Sequence, residues 1–233
     1  MYHHINSDRC SNKLDVFDKH LKYISENYKS AFPLDTIQKN SICLTFDDAY
    51  ADFYYYVFPL LKKYNLKALL GVPTKYILDD TQEEKEKRLK YEHNDLFLHY
   101  KDATFCTYKE LEEMQKSGLV QMASHSHSHK NLLDENVNLK EELLLSKELL
   151  ENKLNIKVES FIFPFGKFND DIAKETLKYY PYVFRIGNAI QKDFSGIRKI
   201  IYRIDGDNLI DEKDIFSVKN MLKYKCKAFI KSF

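Results

Sequence analysis

The chain has 233 residues, with 36 basic and 35 acidic side chains and a net charge of +1. That balance argues against a nucleic-acid binder working through a broad cationic face, while the length allows a core that buries roughly 70% of the unfolded surface. Cys10, Cys43, Cys106 and Cys226 show no C-x-x-C spacing and read as free thiols; no run reaches the roughly 18 apolar residues of a membrane span and no secretory signal is visible, so the cytoplasm is the expected location.

In chain order, residues 42–46 read as a buried strand ending on Asp47 and Asp48. Residues 52–64 read as a helix with Tyr56, Leu60 and Leu61 on one face, kinked or broken at Pro59. A strand follows at 68–72. The segment 79–102 opens with a dense charge run from Asp79 to Arg88 and reads as a surface insertion. Thr107 and Glu110 form a capping box that opens a helix closed by Gly118. Residues 119–124 read as a strand that delivers His125, His127 and His129 to its carboxyl end. Asn138 and Glu141 open a helix reaching about Leu154. A strand at 159–163 ends on Pro164-Phe165-Gly166, and Asp170 starts a short helix. Residues 182–186 and 199–204 read as strands, and 211–233 as a terminal helix whose lysines form a solvated side. The alternation predicts one α/β domain over 1–233 with a parallel sheet or barrel. Such folds place chemistry at the carboxyl ends of their strands, and Asp47, Asp48, His125, His129 and Phe165 all fall there.

Two adjacent carboxylates after a buried strand are costly unless something positive lies beside them. Histidines four residues apart are natural ligands of a divalent metal. One Asp and two His would leave coordination positions open for water and substrate, and the second Asp free to move a proton. On an extended segment His125, His127 and His129 would point the same way; on a helical turn only His125 and His129 would share a face.

At these residues the chain resembles the polysaccharide deacetylases of the NodB-homology, carbohydrate esterase 4 type. Thr45-Phe46-Asp47-Asp48-Ala49-Tyr50 is similar to the family's T-F-D-D-G-Y motif, and the segment from Ser124 to Leu132 to its S-H-S/T-x-x-H-x-x-L motif. Phe161 to Gly166 is similar to the F-A-Y-P-Y/F-G form of the third motif, and Tyr2-His3-His4-Ile5 to the N-terminal Y-H-x-I of one branch. The helix after the first motif also matches at Val57 to Tyr64, and the likeness covers about residues 2–204.

The resemblance implies a distorted (β/α) barrel with fewer than eight repeats, and a hydrolase removing acetyl groups from N-acetylated sugars of a glycan or glycan precursor. It implies a divalent metal, commonly zinc, on Asp48, His125 and His129, with Asp47 as general base. The oxyanion would be held by the metal and the Phe165 backbone N–H. His3, with His4 as fallback, would be the acid, because no histidine follows His129. His127 is left to a supporting or solvent position. Ala49 stands where the family has Gly, which costs something if the backbone needs positive φ. Ile162 stands where many members carry the Arg that orients the base; Arg203 is the candidate substitute. These departures keep open a catalytically silent carbohydrate-binding relative, and the metal chemistry alone also admits an amidase acting on non-carbohydrate acyl amides.

Overall fold

The protein is described over residues 1–233 by a computed structural model. Its frame is a six-stranded sheet: β1 Leu44–Phe46, β2 Ala68–Val72, β3 Val120–Ser124, β4 Ser160–Ile162, β5 Tyr182–Ile186 and β6 Ile200–Arg203. The spatial order follows the chain order and every pairing is parallel, so each connection is a crossover. Both faces are covered, which is why β2 is buried along its whole length and reads as a continuous apolar run.

The sheet curls into a distorted, incompletely closed (β/α) barrel. Its two edges are stitched by the first residues of the chain. The Tyr2 N–H donates to Thr45 O (2.9 Å), Asp47 N–H donates to Tyr2 O (3.0 Å), and Gly206 N–H donates to Met1 O (2.9 Å). This stitch brings the end of β1 to the end of β6.

One face carries a layer built from Leu69, Ala123, Ile162, Phe184 and Ile201, one residue from each of five neighbouring strands. Thr45 is level with Leu69 across the β1–β2 pair, so by the two-residue period Thr45 and Asp47 share this face, as Arg203 shares it with Ile201. Gly71 lets this layer close up: a Cβ there would come within 2.9 Å of Ile162 Cδ1 and push that side chain aside. The larger cluster, with Phe17, Leu21, Phe46, Phe53, Leu61 and Phe161, lies under the helices.

Several expected elements differ in detail. The strand at 42–46 breaks at Cys43, and Ser41–Ile42 pairs instead with Lys29–Ser30. The helix Leu14–Asn27, which buries Phe17, His20, Leu21 and Ile24, was not anticipated. The helix at 52–64 begins as a wide π turn, Phe53–Val57, before the α-helix Phe58–Tyr64. Pro59 has no N–H to give a normal α bond, so a wider turn ahead of it leaves no donor wanting. A second π turn, Glu141–Leu145, precedes Ser146–Leu154, and there Ser146 Oγ donates to the Glu142 and Leu143 carbonyls (2.8 and 3.1 Å). The terminal helix starts only at Val218, capped by Ser217, after a short 3₁₀ turn Asp214–Phe216. No helix is long and apolar enough to cross a membrane.

Candidate active site

The carboxyl ends of the strands open onto a cleft of about 540 Å³ lined by Asp47, Asp48, His125, His129, His3, Phe165 and Arg203, among others. The turns that build it are strained. Asp48 and Ala49 after β1, Ser126 and His129 after β3, and Phe165 after β4 all have positive φ. Ala49 at φ 51° therefore occupies a conformation that favours Gly.

One donor atom each from Asp48, His125 and His129 lie within 4.8 Å of one another. Asp48 Oδ1 is 3.4 Å from His125 Nε2 and 3.0 Å from His129 Nε2. That oxygen is buried and has no hydrogen-bond partner. The His125 Nδ1–H donates to Ile162 O (2.8 Å), which fixes the tautomer and leaves the Nε2 lone pair facing the cleft. His129 is held flat against Phe97, ring centroids 4.9 Å apart, and borders Phe165. Burial opposes the charge on Asp48, but His129 and His125 overcome it and hold the carboxyl well below the usual carboxylate range. A carboxylate oxygen with no partner facing two imidazole nitrogens is a donor set that fits a divalent cation.

Asp47 is turned away from this trio toward Arg203. The guanidinium grips both carboxylate oxygens, with Nη2 donating to Oδ2 at 2.8 Å and Nη1 to Oδ1, and Nη1 also reaches Thr45 Oγ1 (3.2 Å). Burial raises the Asp47 pKa, but Arg203 more than offsets this, leaving it at about 2. Arg203 reaches Asp47 from the far edge of the sheet, and it is buried rather than on the surface.

His3 Nε2 is 3.8 Å from Asp47 Oδ2, and the other face of its ring is fixed by Asp207, which accepts from His3 Nδ1 (2.6 Å) and from the His3 backbone N–H (3.0 Å). Burial lowers the His3 pKa, but Asp207 and Asp47 together raise it to about 9. His4 is not in the cleft. It donates Nδ1–H to Asp52 Oδ2 (2.9 Å) and stacks on Tyr50 at 3.9 Å. His127 also points elsewhere, to Thr74 Oγ1 (3.0 Å), because the left-handed Ser126 breaks the alternation that an extended segment would keep. Phe165 is 60% exposed, and its N–H makes no bond within the chain.

Asp207 was missed by sequence reasoning, although Asp205-Gly206-Asp207 follows the last strand and meets the same strand-end criterion. Phe97 was missed too; the apolar triplet Leu96-Phe97-Leu98 inside a charged segment was its signal. That segment is anchored by Arg88, which is buried and donates to both Glu110 oxygens (2.6 and 2.9 Å) and to the Ala103 and Phe105 carbonyls.

The profile of the polysaccharide deacetylase family matches residues 35–183. A poly-β-1,6-N-acetyl-D-glucosamine N-deacetylase of Staphylococcus aureus is 26% identical over 164 residues, covering 65% of this chain and 49% of that protein. The chain thus spans about half the length of that curated relative. Among solved structures, a polysaccharide deacetylase of Bacillus cereus superposes with a TM-score of 0.75 at 20% identity, covering 95% of this chain and 67% of the other. A deacetylase of Streptococcus pyogenes, solved with acetate, gives 0.74 at 23% identity and covers 95% and 96%. At these identities the structural likeness speaks for the shared barrel.

Proposed function

We propose, on the premise that this chain belongs to the polysaccharide deacetylase family, that it is a metal-dependent hydrolase removing acetyl groups from N-acetylated sugars of a glycan or glycan precursor. The observation that carries this reading is the convergence of Asp48, His125 and His129 beside an Asp47 held by Arg203.

Asp48, His125 and His129 would hold the cation, zinc being the first candidate for such a nitrogen and oxygen set. When bound, the cation supplies Lewis acidity toward the acetyl carbonyl and the attacking water. The chain's own groups do the rest. Asp47, oriented by Arg203 through both oxygens, accepts a proton as the water oxygen bonds to the acyl carbon. The Phe165 N–H donates to the carbonyl oxygen as it gains charge. His3, kept protonated by Asp207, donates to the departing nitrogen as the C–N bond breaks. Acetate and a free amine are the products. Arg203 beside Asp47, and His3 held by Asp207, stand in for the two usual holders that are missing, which favours an active enzyme over a silent relative.

The test is acetate release from N-acetylglucosamine oligomers, including β-1,6-linked ones, with and without added divalent metal. Turnover that depends on metal and is lost in Asp47→Asn with metal content unchanged is the expected result. Metal-loaded protein that releases no acetate across such a panel, or an Asp47→Asn variant that turns over normally, would overturn it. Release from simple acyl amides but not from sugars would favour the amidase reading.

A further inference from the structure

The terminal helix Val218–Lys231 is amphipathic in the wrong sense for a surface helix of a globular protein. Such a helix normally turns its apolar stripe inward. Here the only fully buried member is Tyr224, whose backbone carbonyl accepts from Ile190 N–H (3.4 Å). Met221 and Ala228 are half-buried beside Tyr224, but a second set of apolar residues faces out: Val218 is 78% exposed, Leu222 58%, Phe229 67% and Ile230 70%, with Phe233 just beyond at 77%. At about 100° per residue, Val218, Leu222, Phe229 and Phe233 project within an arc of roughly 60°. Lys225 flanks this stripe on one side, and Lys219 and Lys223 on the other. The helix carries five lysines and no acidic residue.

We propose that this helix lies on the surface of an anionic lipid bilayer, with Leu222 and Phe229 entering the headgroup–acyl boundary and the flanking lysines meeting lipid phosphates. An exposed apolar stripe edged by Lys225 on one side and by Lys219 and Lys223 on the other is complementary to a surface that is apolar within and anionic at its rim. A second copy of the chain docked through the same stripe would set lysines against lysines. The helix is too short and too charged to span, so it would lie in the interface plane. The helix packs against the segment that follows Ile186, where Ile190 N–H donates to Tyr224 O. The docking does not depend on the proposed activity.

The test is co-sedimentation of the full chain with phosphatidylcholine vesicles and with vesicles also containing phosphatidylglycerol, at low and high salt. The expected result is binding to the anionic vesicles only, weakened by salt, and weakened about tenfold or more in Leu222→Ser/Phe229→Ser. Lys219→Gln/Lys223→Gln/Lys225→Gln should lose the preference for anionic lipid. Circular dichroism and acetate release from a soluble oligosaccharide should stay unchanged in both variants, which separates failure of docking from failure of folding or of the proposed activity. No binding to either vesicle would overturn the proposal. So would equal binding by the Leu222→Ser/Phe229→Ser variant. A concentration-dependent dimer abolished by the same substitutions would instead assign the stripe to self-association.

Discussion

Arg203→Ala is the most informative single change. Arg203 and Asp47 are both about 95% buried as side chains and are joined by two parallel hydrogen bonds. Removing the guanidinium leaves a buried carboxylate with the imidazoles of His125 and His3 as its neighbours, the latter at 3.8 Å, and no hydrogen-bonded cation. Asp47 is lowered from an ordinary 3.8 to about 2 in the folded protein, which corresponds to roughly 2 kcal/mol of stabilisation at neutral pH. Truncating one partner of a buried pair costs about 3–5 kcal/mol, since the other charge stays behind. For a chain of this size that lowers Tm by roughly 6–20 °C. The sign of the pH dependence follows from the depressed pKa. The stabilisation is present above about 3.8 and is lost as pH falls toward 2; without Arg203 burial raises the Asp47 pKa, so the deficit of Arg203→Ala should be largest near neutral pH and should shrink as acid protonates the carboxyl. Turnover should fall about 10²-fold or more because the proposed base is no longer oriented. The assay is thermal and acid unfolding of wild type, Arg203→Ala, Asp47→Asn and the double variant. A coupling energy below about 0.5 kcal/mol in that cycle would refute the argument that Arg203 holds Asp47.

Other outcomes follow from the same geometry. His3 has a folded pKa of about 9 against an ordinary 6.5, so its stabilisation is complete below about 6.5 and is lost as pH rises through 9. Acetate release should decline over that alkaline range if His3 is the acid, and Asp207→Asn should move the decline to lower pH; an unmoved limb would remove His3 from the role. Added zinc at about 100 times its Kd should stabilise the fold by about 2.7 kcal/mol, and His125→Ala should abolish the shift in Tm. His127→Ala, which touches Thr74 and not the cleft, should leave both metal binding and turnover within about twofold of wild type. Arg88→Ala should cost about 3–5 kcal/mol and raise KM, because it frees the segment that presses Phe97 against His129; a variant as stable as wild type would show that the segment is not anchored there.

The sequence made the strand ends legible because β1, β3 and β4 are short, mostly apolar and almost wholly buried segments, and each stops on a polar or Pro-Gly turn. The capping box at Thr107 was legible for the same local reason, and it forms as expected. What could not be read was anything set by closure of the barrel. Asp207 meets His3 across 204 positions of chain, and Arg203 meets Asp47 across 156. No periodicity or spacing encodes such a distance; only the stitch of Met1 and Tyr2 between β1 and the end of β6 does. Arg203 could be named as a candidate because it ends a strand, but nothing local distinguishes it from a surface arginine. The divergence of His127 from His125 and His129 had a local cause, the left-handed Ser126, yet Ser carries little preference that would announce it.

Phe165 permits a sharper test of how the turns serve the chemistry. Its φ of 56° and the φ of 63° at Gly166 turn the Phe165 N–H out of the local bonding pattern and leave it without a partner. A non-glycine residue in this region costs about 1–2 kcal/mol, and the turn is held against that cost by Gly166 N–H donating to Phe163 O and Phe163 N–H donating to Phe184 O, both 3.0 Å. If the backbone N–H is the group that meets the oxyanion, the side chain is incidental to that step. Phe165→Ala keeps the N–H and the handedness of the turn, losing only an exposed ring that borders His129. Its kcat should therefore stay within about tenfold of wild type, whereas loss of an oxyanion donor costs about 10²–10³. Phe165→Pro removes the N–H and forces φ negative, so it should fall by at least that larger factor. A Phe165→Ala variant as impaired as Phe165→Pro would place the function in the ring and not in the backbone.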